Sequence, residues 1–271
     1  VKHSIDAPIL PAGGVMEIGG ELELFVRESA PPFAESAVFL SLTGANVATR
    51  VETLTVRLCG ERLEAGSPDE ALWSHEALIG TDGWHLTTER SYSGGESWKC
   101  GDGAGDPYAN MMDAVLVSPP LCLHENSTLS FRHWIEAEAG VIYPYWAEDA
   151  GVVEISADGG RTWTIITPLS GYNARASASN SIFLDSYQRC WSGSIDWQEA
   201  TFDLSSWHGP VLLRLHFASN EQYGFAGWFV DDIRVTTEQP TGADLPPSAG
   251  WVTNLLPAVP NPFNPATAIA F

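Results

Sequence analysis

The stretch Val152-Val-Glu-Ile-Ser-Ala-Asp-Gly-Gly-Arg-Thr-Trp163 contains apolar segments separated by small polar residues. Val153 and Ile155 alternate with polar residues, a spacing typical of a half-buried β-strand. Asp158-Gly159-Gly160 supplies the residues that a tight hairpin turn requires. The segment Thr162 to Ile166 is β-branched and aromatic, which favours a return strand. The stretch therefore predicts a β-hairpin.

Similar patterns occur on both sides of this hairpin. In Leu129–Ile135, for example, the alternate residues Leu129, Phe131, His133 and Ile135 are predicted to share one buried face. Strands are predicted in Glu21–Arg27, Ala37–Leu42, Val51–Leu58, Trp84–Leu86, Leu129–Ile135, Trp197–Leu204, Val211–Phe217 and Gly227–Val235. Only Glu61–Gly80 has helical character, and it is short. We therefore predict an all-β chain that forms an antiparallel two-sheet jelly-roll sandwich.

Changes in composition divide the 271 residues into four parts. Residues 1–72 are predicted to form a small or partial β region, and residues 73–237 the sandwich domain. Residues 238–257 form a Pro-rich linker of extended character. Residues 258–271 form a C-terminal tail with one further strand-like segment.

The charge of the chain limits its partners. The formal net charge is −21, from 13 basic and 34 acidic residues. This charge repels phosphate backbones, so no nucleic acid is expected as a partner. It also disfavours anionic membranes and favours cations. Because no run of about 18 apolar residues occurs, no membrane insertion is expected.

The motifs of nucleophilic and phosphoryl-transfer enzymes are absent from the sequence. There is no G-x-S-x-G and no G-x-x-x-x-G-K-[ST]. The Gly-rich loop Gly101–Gly105 is acidic and would repel phosphate. We therefore predict no catalytic residues and no enzyme.

An aromatic loop, Tyr143-Pro-Tyr-Trp146, lies among acidic residues. The acids are Glu136, Glu138, Glu148 and Asp149. Aromatic faces beside hydrogen-bonding acids suit a sugar-binding platform, which gives Tyr143, Tyr145, Trp146 and Glu148 as predicted ligand-binding residues. Two alternatives stay open: paired carboxylates for glycoside hydrolysis, and aromatic side chains that cap the end of the sandwich.

Four cysteines allow three disulfide connectivities. Cys100 and Cys190 both lie in Gly- and Trp-rich sequence and are predicted to pair. Cys59 and Cys122 end apolar strand-like segments and form a possible second bridge. The alternative is four reduced, buried thiols. Asn126-Ser127-Thr128 matches the pattern for N-glycosylation, with Asn126 as the acceptor.

Residues 81–235 resemble the MAM-like jelly-roll domain attached to immune-inhibitor-A-type secreted bacterial metallopeptidases. The matching segments are Gly83-Trp84, Ser97-Trp98 with Gly101, Leu116–Pro119, Leu129–Phe131, Val153–Ser156 with Asp158–Trp163, Asp203–Ser205 with Gly209, Leu213-Arg214 and Gly227–Ile233. The resemblance implies a secreted or cell-surface protein. The N-terminus lacks the apolar core of a signal peptide, as expected for a mature or excised piece.

The pair Asp231-Asp232 is the strongest metal candidate in the sequence. Neighbouring residues of a strand point to opposite faces, so the two carboxylates should not share one side. Domains of the resembling type often carry a structural Ca²⁺ at this segment, and carboxylate oxygens suit this ion. By position, the predicted partner ligands are Glu76, Asp82, Glu136 and Asp149. The alternative is an acidic strand end that makes ordinary turn hydrogen bonds.

The tail Pro260–Phe271 resembles the first strand of C-terminal sorting domains of bacterial secreted proteins, of the type IX secretion and flagellar-hook-cap-like kinds. A single apolar strand could also pair with the sheet edge of another subunit, which predicts self-assembly. The function expected from the sequence is a non-catalytic extracellular binding or adhesion module for a glycan or cell-surface protein. The alternatives are an accessory domain of a metallopeptidase and a filament subunit.

Overall fold

The computed structural model describes residues 9–10, 15–18, 22–25, 33–44, 47–60, 62–63, 72–177, 187–236, 259–264 and 266–268. Within these residues the chain consists of strands, their connections and one 3₁₀ turn at Gly103–Gly105. Two compact units are present: Val1–Gly60 with Gln239–Phe271, and Glu61–Glu238. No helix in the described part of the chain is long and apolar enough to span a membrane.

The strands are numbered in chain order. They are β1 Ile9–Leu10, β2 Val15–Ile18, β3 Leu22–Phe25, β4 Glu35–Gly44, β5 Val47–Leu58, β6 Ser74–Ile79, β7 Trp84–Thr87, β8 Ser97–Cys100, β9 Asp113–Val117, β10 Leu121–Leu123, β11 Thr128–Glu136, β12 Trp146–Ala147, β13 Ala150–Ser156, β14 Thr164–Ile166, β15 Ala174–Ala176, β16 Arg189–Cys190, β17 Ser194–Asp203, β18 Gly209–Ala218, β19 Gly227–Thr236, β20 Val259–Asn264 and β21 Ala266–Ala268.

In the first unit, β5 lies between β1 and β4 in a three-stranded sheet. The strands β4 and β5 form a long antiparallel hairpin, and β2 pairs with β3. In the tail, β20 pairs with β21 of the same chain. The predicted self-assembly through the tail therefore stays a prediction.

The second unit contains two large antiparallel sheets. One has the order β14-β13-β18-β9-β6, with β10 also paired to β18, and the other has the order β17-β11-β19-β8-β7. A small third sheet, β12-β15-β16, joins the connections that follow β11 and β14. The predicted all-β sandwich is confirmed.

Alternating side chains explain why these strands enclose a core. In β11 every second residue, from Leu129 to Ile135, is buried, as predicted. His133 is one of these residues, and burial lowers the pKa of its imidazole to about 3, which keeps it neutral. The side chains of Trp191 and Trp228 are also fully buried. The core is therefore unusually rich in aromatic rings.

The hairpin at Val152–Trp163 forms as predicted, with Val153 opposite Ile166. The carboxylate of Asp158 accepts hydrogen bonds from the backbone N–H and the hydroxyl of Thr162, at 2.9 and 2.6 Å. Gly159 adopts the positive φ of 75° that the turn requires. The prediction of a half-buried strand is wrong, because every residue of β13 is buried. Glu154 alternates with Val153 and Ile155 but is also buried, and its carboxylate forms hydrogen bonds with Arg214 and His216.

Two further predictions need correction. The stretch with helical character contains β6, which pairs along its length with β9. Cys100 and Cys190 are both free and buried, so their predicted disulfide is wrong. They lie on β8 and β16, which belong to different sheets. Cys59 and Cys122 are disulfide-bonded, in agreement with the second predicted bridge.

Candidate functional site

A cleft of about 440 Å³ opens beside the loop that connects β11 to β12. We call it the aromatic cleft. Its lining residues are Gly140, Val141, Ile142, Tyr143, Trp146, Glu148, Ser177 and Tyr187. Of the four predicted ligand-binding residues, Tyr143, Trp146 and Glu148 line this cleft, and Tyr145 contacts two of the lining rings.

The aromatic rings form a continuous row. The ring centroids of Tyr143 and Tyr145 are 5.7 Å apart, and those of Tyr145 and Trp146 are 5.6 Å apart. Trp146 meets Tyr187 edge to face at 5.2 Å. These are the separations at which aromatic pairs attract one another. The three tyrosines are each more than half exposed, so the row presents its rings to solvent.

Backbone hydrogen bonds fix the loop that carries Tyr143 and Trp146. The N–H of Gly140 donates to the carbonyl of Trp146 at 2.8 Å, and the N–H of Trp146 donates to the carbonyl of Tyr143 at 2.9 Å. The N–H of Tyr187 donates to the carbonyl of Ala176 at 3.1 Å. Because β12 pairs with β15, which contains Ala176, this bond places Tyr187 beside the loop. The rings are therefore held by main-chain geometry.

Sequence reasoning missed Tyr187. The segment Gly171–Gln188 is small and polar, a composition typical of an exposed loop of the kind that carries binding residues. Tyr187 approaches Trp146 only through the pairing of β12 with β15 and of β15 with β16. No local pattern in the sequence indicates these pairings.

A buried polar network supports the base of the loop. The hydroxyl of Tyr108 donates to the carboxyl of Asp149 at 2.5 Å, and the backbone N–H of Asn220 donates to the same carboxyl at 2.6 Å. The side-chain amide of Asn220 donates to Glu138 at 2.9 Å. The hydroxyl of Ser192 donates to the backbone carbonyls of Glu138 and Asp149. Glu138 and Asp149 thus stabilise the loop from below, and neither lines the cleft.

Burial raises the pKa of Asp149 to about 7, although the hydrogen bonds from Tyr108 and Asn220 oppose the shift. The negative charges of Glu138 and Glu148 raise it further. Burial also raises the pKa of the Tyr108 hydroxyl, which stays protonated. The loop is therefore supported by a carboxyl group that changes charge near neutral pH.

We expect this carboxyl group to make the protein less stable as the pH rises from about 4 to about 7. In that window the folded protein keeps a proton that the unfolded chain has lost, so the free energy of unfolding falls with pH, by on the order of 2–4 kcal/mol for one such group. Asp149→Asn keeps a neutral group there and should flatten the curve. Urea unfolding of both proteins between pH 5 and pH 7.5 measures the difference.

His133 and His216 are competing sources of pH dependence. Because burial keeps the imidazole of His133 neutral, His133 makes the protein more stable as the pH rises to about 6.5. His216 acts in the opposite direction. Burial favours its neutral form, but its hydrogen bonds to Asp113 and Glu154 outweigh this, so the pKa of the imidazole is raised. As the pH rises, His216 loses a positive charge that its two carboxylate partners stabilise, so the protein becomes less stable, and this happens in both proteins. Only the difference between the two curves therefore reports on Asp149. Parallel curves would show that Asp149 does not titrate in this window.

Asp231 and Asp232 anchor a loop. The backbone N–H groups of Tyr92 and Ser93 donate to the carboxylate of Asp231 at 2.7 and 2.9 Å. The hydroxyl of Ser93 donates to Asp232 at 2.7 Å. A shift in the pairing of β11 with β19, and the positive φ of 50° at Asp232, allow both carboxylates to engage one loop. The expectation that they point to opposite faces is therefore wrong.

The other predicted metal ligands lie in different surroundings. Asp82 pairs with His75 at 2.7 Å, Glu76 is exposed on β6, Glu136 ends β11, and Asp149 belongs to the buried network. Across the described ranges of the chain, no group of three or more His, Cys, Asp or Glu side chains is placed to hold a metal ion. Calcium binding stays a prediction. Glycosylation also stays a prediction, although Asn126 is exposed in the turn before β11.

No protein-family model matches the chain. No curated protein sequence matches it either. Among solved structures, one from a study of the promiscuous specificity of carbohydrate-binding modules of the β-sandwich superfamily is 16% identical, with a TM-score of 0.38; the match covers 82% of this chain and 86% of that one.

Two further solved structures show similar levels of likeness. The K1 cleaved adhesin domain of Lys-gingipain from Porphyromonas gingivalis W83 is 15% identical, with a TM-score of 0.37; the match covers 66% of this chain and 100% of that one. The glycoside hydrolase domain of Endo-D from Streptococcus pneumoniae R6 is 15% identical, with a TM-score of 0.35; the match covers 62% of this chain and 22% of that one. Likeness at this level assigns no function to the chain.

Proposed function

We propose that this chain is a secreted, non-catalytic binding module whose aromatic cleft holds a carbohydrate. The observation that carries the proposal is the meeting of Tyr143, Trp146 and Tyr187 around one cleft, with the carboxylate of Glu148 in the same lining. Aromatic faces accept the CH groups of a pyranose ring, and a carboxylate accepts hydrogen bonds from its hydroxyl groups.

The size and support of the cleft fit this use. Its volume of about 440 Å³ falls in the range of about 300–1,000 Å³ that small-molecule sites occupy. The main-chain bonds of the loop and the buried network beneath it hold the rings before a ligand arrives. A site that is organised in advance loses less conformational entropy on binding.

A protein partner is the second candidate, because the tip of the loop is apolar. Val141 is 99% exposed and Ile142 is 80% exposed. Neighbouring apolar side chains at this exposure often mark an interaction surface. In this case the module would bind a cell-surface protein, with the aromatic row at the edge of the contact.

The extracellular setting rests on the disulfide-bonded Cys59 and Cys122. Disulfides persist mainly in oxidising compartments outside the cytosol. The resemblance of residues 81–235 to MAM-like domains of secreted bacterial proteins agrees with this setting.

Binding to a panel of immobilised plant and microbial polysaccharides tests the proposal. We expect the wild-type protein to be retained by at least one polysaccharide and Trp146→Ala to bind it about tenfold or more weakly, a loss equivalent to about 1.4 kcal/mol. Tyr223→Ala is the matched control, because Tyr223 is 66% exposed and lies outside the cleft. Equal retention of the wild type and Trp146→Ala, or no retention on any polysaccharide, would contradict the proposal.

A further inference from the structure

A second cleft lies on the outward face of the sheet β17-β11-β19-β8-β7. It has a volume of about 400 Å³ and is lined by Ser93, Ser130, Phe131, Arg132, Glu199, Asp232 and Arg234. We call it the arginine groove. The side chain of Phe131 is only 1% exposed because it points into the core, so the exposed side chains of the lining are all polar.

The loop at residues 88–96, between β7 and β8, forms one wall of the arginine groove. The guanidinium of Arg90 stacks on the ring of Trp134 at 3.8 Å, and the backbone of Ser93 is fixed by Asp231. The ring of Tyr92 lies 4.7 Å from the guanidinium of Arg132. The wall is therefore attached to the sheet at several points along its length.

The acidic groups of the groove are already engaged. Glu199 forms an ion pair with Arg132 at 2.9 Å, and Asp232 accepts a hydrogen bond from the hydroxyl of Ser93. The side chain of Arg234 is exposed and makes no hydrogen bond or ion pair with any other residue that the structure describes. Arg234 therefore offers the largest set of unused hydrogen-bond donors in this lining.

Such a lining calls for a ligand that brings acceptor oxygens. A guanidinium binds a carboxylate through two parallel N–H bonds. Seryl hydroxyls and the remaining carboxylate oxygens suit the hydroxyl groups of a sugar. An acidic peptide fits less well, because the groove offers no exposed apolar side chain to its non-acidic residues.

We infer that the arginine groove binds a carboxylate-bearing saccharide, with Arg234 holding the carboxylate and Arg132 beside it. The ligand class is the uronic acids and related acidic sugars. The site lies on the face of the sheet and is distinct from the aromatic cleft. The charges of Arg132 and Arg234 are balanced by Glu199 and Asp232, and the net charge of the chain is −21. The groove therefore recognises an acidic sugar by short-range contacts and not by long-range attraction. Bidentate geometry must therefore overcome the overall repulsion between the protein and an anion.

Calorimetric titration of the full chain with short oligogalacturonides, in the presence of a chelator, tests this inference. We expect binding that the fully methyl-esterified oligomer, which has the same backbone without charge, does not show. Arg234→Gln should weaken binding about tenfold or more. Asp232→Asn keeps the acceptor for Ser93, and asparagine tolerates the positive φ at this position, so it should strengthen binding a few-fold by removing one negative charge.

Two variants act as controls. Arg161→Gln removes the same charge from an exposed arginine in the β13–β14 turn and should leave binding unchanged. A loss of binding in Trp146→Ala but not in Arg234→Gln would place the acidic sugar in the aromatic cleft and overturn the inference. Equal binding of the methyl ester or of polyglutamate, an unaltered affinity in Arg234→Gln, or no binding of oligogalacturonides would overturn the inference.

Discussion

Trp191→Ala is expected to lower the free energy of unfolding by about 3–5 kcal/mol, the range for truncating a fully buried large aromatic residue. The indole of Trp191 is 1% exposed. Its ring centroid lies 4.3 Å from that of His133 and 4.7 Å from that of Tyr172. It also contacts the ring of Trp228 on β19, with 5.8 Å between the ring centroids. Alanine would leave a cavity that these rigid rings cannot fill.

The main chain of Trp191 adds a second reason for a large effect. Trp191 and Gly151 of β13 each donate a backbone hydrogen bond to the other, at 2.9 and 3.0 Å. Trp191 directly follows β16, the strand that begins two residues after Tyr187. Denaturant unfolding monitored by far-ultraviolet circular dichroism measures the loss. Trp207→Ala is the matched control, because Trp207 is only half-buried, and we expect it to cost less than about 2 kcal/mol. Equal losses in the two variants would show that Trp191 is not a central core residue.

Gly227→Ala is expected to destabilise the protein by about 3 kcal/mol or more, through backbone strain together with overpacking. Gly227 begins β19 with a φ of +95°, a conformation that L side chains rarely adopt. A Cβ atom at this position would overlap the carbonyl oxygen of Cys100 and lie 3.4 Å from the Cα of Gly101. Because both neighbours are backbone atoms at the end of β8 and just after it, they cannot move aside without disturbing the pairing of β19 with β8.

Gly159→Ala separates the two causes. Gly159 also has a positive φ, of 75°, but nothing lies within 4 Å of an added Cβ. This variant should show the conformational cost alone, about 1–2 kcal/mol. Thermal and urea unfolding of both variants gives the comparison. If Gly227→Ala costs no more than Gly159→Ala, the close approach of β19 to β8 does not restrict this position.

Strand positions and the sandwich class could be predicted because they depend on local periodicity. The burial of every second residue in Leu129–Ile135 follows directly from the alternation of its side chains. The complete burial of β13 could not be predicted in this way, because Glu154 is charged. Its burial depends on Arg214 and His216, which come from a strand that is distant in sequence.

The functional side chains were harder to interpret because their partners are distant along the chain. The carboxylate of Asp231 accepts a hydrogen bond from the N–H of Tyr92, which is 139 residues away in the sequence. A pair of neighbouring aspartates is compatible with a metal site and with a loop anchor, and only the fold shows which N–H groups reach them. The position of Tyr187 beside Trp146 was likewise decided by long-range strand pairing.

A crystal structure of the protein with the polysaccharide fragment that it retains most strongly tests the proposed function most directly. We predict a sugar ring stacked on the face of Trp146 or Tyr187, with a hydroxyl group within hydrogen-bond distance of the Glu148 carboxylate. A neutral sugar bound elsewhere, with the aromatic cleft empty, would contradict the assignment of this cleft as the carbohydrate site.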